Sequence, residues 1–310
     1  MKHTGATSCG GGAVIKPNPG LLARGLVRFY QVWHGSLRLP GAGFVIRRLS
    51  HGMKGLQNFP LDVKGIGTVP VDFRDYSGFL WMQHLLGDTL AAHDIETGLF
   101  RALERRLRSG MVFWDVGANA GTVAAYVAAN CPGVRVVGFE PNPSIFQSLR
   151  LLFNSSTTVR VLPYALSNTD GRVVLTIPKG KSTGASVVGK DYVLSTSNLR
   201  PEDVEEVTVE AYRGDSLSGI DSTIVSPDVI KIDVEGHEAA VIAGLERIIK
   251  EKQPVLIFEH LYLTDDAVNA LIPPGYTIHS IDNDTGEFCS GFDRKIGHNS
   301  ALVPGGKPSA

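Results

Sequence analysis

The chain has 310 residues, of which 43% are hydrophobic and 20% are charged, and its formal net charge at pH 7 is −1. This composition excludes a disordered chain, and the balanced charge argues against nucleic acid as a partner. The three cysteines are far apart and form neither a disulfide framework nor a paired metal motif, so we expect a cytoplasmic protein.

The first predicted element is an amphipathic helix over residues 21–37, which carries basic and aromatic side chains. It is too short to span a bilayer. A helix of this type either packs on its parent domain, which we favour, or contacts a membrane surface or a partner protein.

From about residue 94, short apolar runs alternate with amphipathic segments. The predicted helices are 95–109, 122–130, 143–153 and one that carries Val241, Ile242, Leu245, Ile248 and Ile249. The predicted strands are 111–116, 134–139, 159–162, 229–232 and 255–258, then 276–281 and 301–303 as a closing antiparallel hairpin with its turn at 283–286. Segments 173–177 and 207–211 form an inserted pair. This alternation predicts an α/β fold, with a mostly parallel sheet covered by helices on both faces.

The sequence DVGANAG, residues 115–121, follows the first strand of this sheet and precedes a helix. Ligands of such sheets bind beyond the carboxyl ends of the strands. An acidic strand end followed by Gly117 and Gly121 around a tight turn lets a ligand touch the backbone. The alternative role of such a loop is only to pack the helix against the strand.

Glu140 ends the second strand, in the sequence FEPNP, at the distance along the chain where a carboxylate binds both ribose hydroxyls of a nucleoside. Its alternative role is to lie beside a helix N-terminus. The loop has Asn119 where a pyrophosphate loop has glycine, and Asp115 would repel a pyrophosphate. S-adenosylmethionine has a cationic amino group and a cationic sulfonium, so it fits this acid better than a dinucleotide does.

The sequence KIDVEGHE, residues 231–238, follows the fourth strand, and Glu259 and His260 follow the fifth. Methyl transfer to oxygen requires a nucleophile held in line with the donor methyl, and a base or a bound cation that removes the hydroxyl proton. The residue types for either route are supplied by Asp233, Glu235, His237, Glu259 and His260. We favour Asp233 and His237 as base or positioning residues, with Glu259 in support, and a divalent metal stays an open alternative. We expect Lys231 to pair with an acid.

The motifs DVGANAG, FEPNP, YALSN, KIDVEGHE and FEH occur in this order, and the set resembles the FkbM family of S-adenosylmethionine-dependent methyltransferases. The resemblance implies a Rossmann-like class I methyltransferase fold with a seven-stranded sheet. It also implies O-methylation of a hydroxyl on a sugar or glycan, a polyketide or another metabolite. The residues expected to bind the donor are Asp115, Gly117, Ala118, Asn119, Gly121, Glu140, Asn142, Leu166 and Asn168, with Glu140 at the ribose and the last two near the adenine.

The catalytic domain is predicted over residues 94–304, after an extension over 1–93 that covers the acceptor side and before a tail over 305–310. The extension matches nothing specific, so the acceptor is not identified. Where family members often carry a Leu-Asp pair before the KIDVEG strand, this chain has RGDS at 213–216, which we interpret as a turn.

The glycine- and serine-rich insertion over residues 178–190 is either a lid above the crevice or a solvated hairpin tip. Two other functions stay open. A nicotinamide-dependent oxidoreductase would need a G-x-G-x-x-G loop, and a non-catalytic module would bind the donor without turnover. The sequence does not determine metal dependence or oligomeric state.

Overall fold

The computed structural model describes residues 97–179 and 184–306, together with residues 25, 48–49, 52–53, 59–63 and 67–71. The described strands are β1 (Phe59–Val63), β2 (Gly67–Val71), β3 (Val112–Val116), β4 (Arg135–Phe139), β5 (Val159–Leu162), β6 (Ala165–Leu166), β7 (Gly171–Pro178), β8 (Val204–Tyr212), β9 (Val229–Ile232), β10 (Val255–Glu259), β11 (Tyr276–Ile281), β12 (Phe288–Ser290) and β13 (Asn299–Pro304). The described α-helices are α1 (Thr97–Arg106), α2 (Thr122–Asn130), α3 (Pro143–Leu152), α4 (Lys190–Ser197), α5 (Leu217–Ile220), α6 (Glu238–Ala243), α7 (Glu246–Lys252) and α8 (Asp265–Ala270).

The central sheet has the strand order β12-β11-β13-β10-β9-β3-β4-β5. Strands β5, β4, β3, β9 and β10 pair in parallel, whereas β13 lies antiparallel between β10 and β11. Strand order reverses between β3 and β9, which is the place where sheets of this kind open a crevice for a ligand.

Both faces of the central sheet are buried, because successive side chains of each strand point to opposite faces. Phe113 lies with α1, α2 and α3 in one apolar cluster, and its neighbour Trp114 lies with α5 to α8 in the other. The predicted mostly parallel sheet with helices on both faces is therefore confirmed.

The inserted strand pair forms a second sheet, in the order β6-β8-β7. The predicted pairing is present, since β7 and β8 run antiparallel from Gly171 opposite Ala211 to Pro178 opposite Val204. Strand β6 joins β8 in parallel, and this pairing places Ala165 and Leu166 close to the edge of the central sheet.

The C-terminal part of the central sheet differs from the expectation in one respect. In the described residues it has eight strands rather than seven, because the turn after β11 leads into β12. The Gly286 N–H donates to the carbonyl of Asp282 at 2.9 Å, which reverses the chain so that Phe288 pairs with Ile281. The antiparallel partner of β11 predicted over 301–303 is present as β13, but the turn predicted at 283–286 joins β11 to β12 rather than to β13.

The helix predicted over Val241 to Ile249 is two helices, α6 and α7, because the chain breaks at Gly244. A Cβ at Gly244 would lie 1.9 Å from the carbonyl oxygen of Ser167, so this close approach requires glycine. The carboxylate of Asp215, in the 3₁₀ turn Gly214–Ser216, accepts from the N–H groups of Arg247 and Ile248 at 2.8 and 3.0 Å. The RGDS segment thus forms the predicted turn and caps α7.

Apart from Gly25, which is helical, the predicted helix over 21–37 lies outside the described residues, as does most of the extension over 1–93, so the domain boundary at residue 94 stays a prediction. Of that extension the structure describes the antiparallel pair β1 and β2. None of the helices in the described part of the chain has the length and apolar character needed to cross a bilayer.

We expect Asp215→Ala to lower the free energy of unfolding by about 1–2 kcal/mol, because it removes the acceptor for two N–H groups at the start of α7. Urea denaturation measures this change. The matched control is Glu251→Ala on the exposed face of the same helix, which should change stability by less than about 0.5 kcal/mol. Equal stabilities of the two variants would contradict the capping role.

Candidate active site

The carboxyl ends of β3, β4 and β9 meet at one edge of the central sheet, beside a crevice of about 650 Å³ that is open to solvent. The described residues that line it are Val116, Gly117, Asn119, Phe139, Glu140, Pro141, Tyr164, Ala165, Leu166, Leu175, Gly184, Ala185, Val187, Asp233, Val234, Glu235 and His237.

The loop after β3 lies directly against the chain that follows β9. Gly117 has a φ of +81°, and a Cβ there would lie 1.8 Å from the carbonyl oxygen of Asp233. The N–H groups of Gly117 and Ala118 both donate to the carbonyl of Phe139, at 3.0 and 2.9 Å. The loop is therefore fixed to β4 on one side and touches the β9 end on the other, which only glycine permits.

Both carboxylate oxygens of Glu140 are held by backbone groups. Oε2 accepts from the N–H of Asn119 and Oε1 from the N–H of Asn142, each at 2.8 Å. Burial raises the pKa of Glu140 to about 7, and the two N–H groups oppose that rise. Each oxygen keeps a further acceptor position, so a fixed carboxylate lies at the crevice for a ligand hydroxyl.

Lys231 lies in β9 opposite Asp115 of β3, and its ammonium group joins two carboxylates. Its Nζ is 3.5 Å from Oδ1 of Asp115 and 3.1 Å from Oδ2 of Asp233, and it donates to the carbonyl of Gly117 at 3.4 Å. Burial raises the pKa of Asp115, and the charge of Lys231 opposes that rise. The expected pairing of Lys231 with an acid is thus present, and it positions Asp233 at the crevice.

Glu235 connects the β9 loop to the insertion. Its φ of +53° is unusual for a side chain of this size, and its Oε1 accepts from the N–H of Gly184 at 3.2 Å. Its carbonyl accepts from Oγ of Ser186 at 2.7 Å. Burial and the neighbouring Asp233 raise the pKa of Glu235 to about 7.

His237 begins α6, and its Nε2 lies 3.0 Å from Oγ of Ser167. Burial lowers the pKa of His237, so the ring is neutral at pH 7. A neutral imidazole held by a serine hydroxyl can donate or accept a hydrogen bond at the crevice wall.

The structure separates the predicted site residues into three groups. Those on the crevice wall are Gly117, Asn119, Glu140, Leu166, Asp233 and His237. Those behind it, which shape the loops, are Asp115, Ala118, Gly121 and Asn142; Gly121 lies against Leu149 and Phe153, and the side chain of Asn142 caps α3. The third group, Asn168 and Glu259, lies outside the lining, and Asn168 is exposed. His260 is buried, with its Nδ1 3.1 Å from Oγ of Ser300, and is structural.

Several lining residues were not expected from the sequence. Tyr164 belongs to the YALSN motif but was not among the predicted site residues, and Leu175 of β7 lies in no motif. Gly184, Ala185 and Val187 belong to the insertion, whose described part packs on Glu235, while its residues 180–183 lie outside the described part of the chain. The glycine-rich composition was the one sign that this segment approaches a ligand site.

Within the described ranges, no group of three or more His, Cys, Asp and Glu side chains is arranged to hold a metal ion.

A family model described as "Methyltransferase FkbM domain" matches residues 115–283 of this chain. The chain belongs to the FkbM methyltransferase family. The predictions of a methyltransferase and of a Rossmann-like methyltransferase fold are confirmed.

Individual proteins are also similar to this member of the FkbM family. It is 29% identical over 182 residues to the hexuronic acid methyltransferase AglP of Haloferax volcanii, a match that covers 57% of this chain and 67% of AglP. It is 25% identical over 142 residues to Methyltransferase 1 of Beauveria bassiana, covering 43% of this chain and 57% of that protein. The crystal structure of an FkbM methyltransferase from Methylobacillus flagellatus KT has 18% identity and a TM-score of 0.41, covering 76% of this chain and 56% of that one.

We expect Lys231→Met to lower the free energy of unfolding by about 3–5 kcal/mol at pH 8, because it leaves the buried Asp115 without its cation. The pKa of Asp115 is raised in the folded state, so the folded variant binds a proton more tightly than the unfolded chain does. Its stability should therefore fall as the pH rises from 5 to 8.

Denaturant unfolding of this variant at pH 5 and pH 8 provides the measurement. The matched control is the double variant Lys231→Met/Asp115→Asn, which removes both charges and should recover most of the loss. A double variant as unstable as the single one would contradict the role of the ion pair.

Proposed function

We propose that this chain transfers the methyl group of S-adenosylmethionine to a hydroxyl oxygen of a sugar. The observation that carries the proposal is that the fixed carboxylate of Glu140 and the partly exposed carboxylate of Asp233 line one crevice. The Glu140 carboxylate suits the hydroxyls of a nucleoside ribose, and the Asp233 carboxylate suits a cation or the proton that leaves the acceptor hydroxyl.

The residues present fit this donor. Oδ1 of Asn119 is buried at the crevice and accepts no hydrogen bond within the part of the chain that the structure describes, so it can accept from the amino group of a ligand. Glu140 would hold the ribose, and Leu166 with Tyr164 would form the apolar wall for the adenine. The carboxylates of Asp233 and Glu235 suit the positive charge of the methionine part.

S-adenosylmethionine, when bound, supplies a methyl group on a positively charged sulfur. The task of the chain is to hold an acceptor hydroxyl in line and to take its proton. Asp233 is our candidate base, because its side chain is 31% exposed and Lys231 holds one of its oxygens at 3.1 Å. The neutral ring of His237 would position the acceptor. Lys231 would also stabilise the negative charge of the Asp233 carboxylate until that carboxylate takes the proton.

The sugar acceptor is supported by the similarity to AglP, whose name states that it methylates a hexuronic acid. The acidic wall of the crevice further favours an acceptor that presents a hydroxyl, since hydroxyl groups donate hydrogen bonds to carboxylates. We also propose that the protein acts in the cytoplasm, because the two described cysteines, Cys131 and Cys289, are both free thiols.

We expect the affinity for S-adenosylmethionine to fall about tenfold between pH 8 and pH 6. The pKa of Glu140 is about 7, so roughly a tenth of this carboxyl is ionised at pH 6, and the protonated form loses acceptor capacity for the ribose. Titration calorimetry at both pH values measures this. Glu140→Gln should bind about tenfold more weakly at pH 8 and vary less with pH, and an unchanged affinity would remove Glu140 from the donor site.

We expect Asp233→Asn to reduce methyl transfer by about 10²–10⁴-fold, because the amide cannot take the hydroxyl proton. Transfer of tritium from labelled S-adenosylmethionine to glycans and methyl glycosides measures the rate, and calorimetry should find donor binding largely retained. A fully active variant would exclude Asp233 as the base. A wild-type protein that binds the donor but labels no sugar would contradict the acceptor class.

A further inference from the structure

We propose that Tyr262 determines acceptor specificity, and that its exposed ring stacks on an uncharged sugar whose hydroxyls reach the carboxylates beside it. This inference rests on the proposed function, because the sugar would be the methyl acceptor. It adds a binding surface, at the β10 side of the crevice, that neither the motifs nor the donor site includes.

The position of Tyr262 follows from the sheet register. Strands β9 and β10 pair in parallel with Phe258 opposite Ile232, so Glu259 ends β10 beside the point where Asp233 follows β9. The chain turns immediately after Glu259, and this turn carries Tyr262. Tyr262 therefore lies at the same edge of the sheet as Asp233, one strand further from Glu140.

The ring of Tyr262 is available to a ligand. Tyr262 is 55% exposed. Burial raises the pKa of Tyr262, and the nearby charges of Glu235, Glu259 and Asp233 raise it further, in agreement with this placement. An exposed aromatic face next to hydrogen-bond acceptors suits a sugar, which has apolar C–H groups on one face and hydroxyls at its rim.

A second tyrosine closes the inner side of this surface. Tyr192 in α4 lies directly over the β9 loop, since a Cβ at Gly236 would be 2.5 Å from its hydroxyl oxygen. That hydroxyl makes no hydrogen bond to any described residue. Burial, and after it the charges of Glu238 and Glu235, raise the pKa of Tyr192 to about 12. The β9 loop is thus flanked by Tyr192 on one side and by the turn with Tyr262 on the other.

The charge of the surface selects among sugars. Lys231 is already paired with Asp115 and Asp233, and the described residues that line the crevice include no lysine and no arginine. A uronate would bring its carboxylate next to Asp233, Glu235 and Glu259, where like charges repel. A neutral sugar instead donates its hydroxyls to the same carboxylates.

The test compares two probes that differ by one carboxylate, methyl β-D-glucopyranoside and methyl β-D-glucopyranosiduronate. Saturation-transfer NMR on the full chain, with S-adenosylhomocysteine present, measures the affinity for each probe. We expect the neutral glycoside to bind more tightly. Tyr262→Ala should weaken it about five- to tenfold, whereas Tyr262→Phe, which keeps the ring, should bind as the wild type does.

Val174→Ala is the matched control, because Val174 is 50% exposed on β7 in the second sheet, so its truncation should leave glycoside affinity unchanged. Calorimetry with S-adenosylhomocysteine separates the two levels of failure. Intact product binding without any glycoside binding, tighter binding of the uronate, or an unaffected Tyr262→Ala variant would each overturn this inference and leave the donor site in place. A wild-type protein that does not bind S-adenosylhomocysteine would instead overturn the proposed function.

Discussion

The ion pairs of Lys231 with Asp115 and Asp233 are the constraint on which the site depends. Asp115 is fully buried at the end of β3, and a buried carboxylate is costly unless a cation compensates its charge. Lys231 supplies that cation from the neighbouring strand and reaches forward to Asp233 and to the Gly117 carbonyl. The same ammonium group therefore stabilises the junction of β3 and β9 and fixes the orientation of the carboxylate that faces the crevice.

Close contacts near this junction require glycine at three positions. Gly117 touches the carbonyl of Asp233, Gly236 lies under the ring of Tyr192, and Gly244 touches the carbonyl of Ser167. The first two contacts bring the β3 loop and α4 onto the loop after β9, and the third brings Ser167, after β6, onto the break between α6 and α7. Glu235, in a left-handed conformation, then binds the insertion through Gly184. Local backbone strain of this kind is common where a ligand site must be held rigidly.

Much of the fold followed from the sequence because its signals are local. The runs VFWDV and VIKI are apolar except for Asp115 and Lys231, which is typical of strands buried on both faces, and β5 and β9 have the predicted bounds. The split between α6 and α7 escaped prediction, because the contact of Gly244 with Ser167 joins segments far apart in the chain. Strand β12 was not predicted for the same reason, since only its pairing with β11 distinguishes the three residues Phe288–Ser290 from a loop.

The sequence by itself determined the family, the order of strands and helices, and the group of residues at the strand ends that bear on methyl transfer. These features depend on spacing along the chain and on the chemistry of single motifs. Only the tertiary structure decided which of those residues face the crevice. It placed Asn119, Glu140 and Asp233 on the wall, and put Asp115 and Gly121 behind it as residues that hold the loops. It also brought the insertion and the turn with Tyr262 to the same edge, because strand pairing and long-range packing carry no local signature.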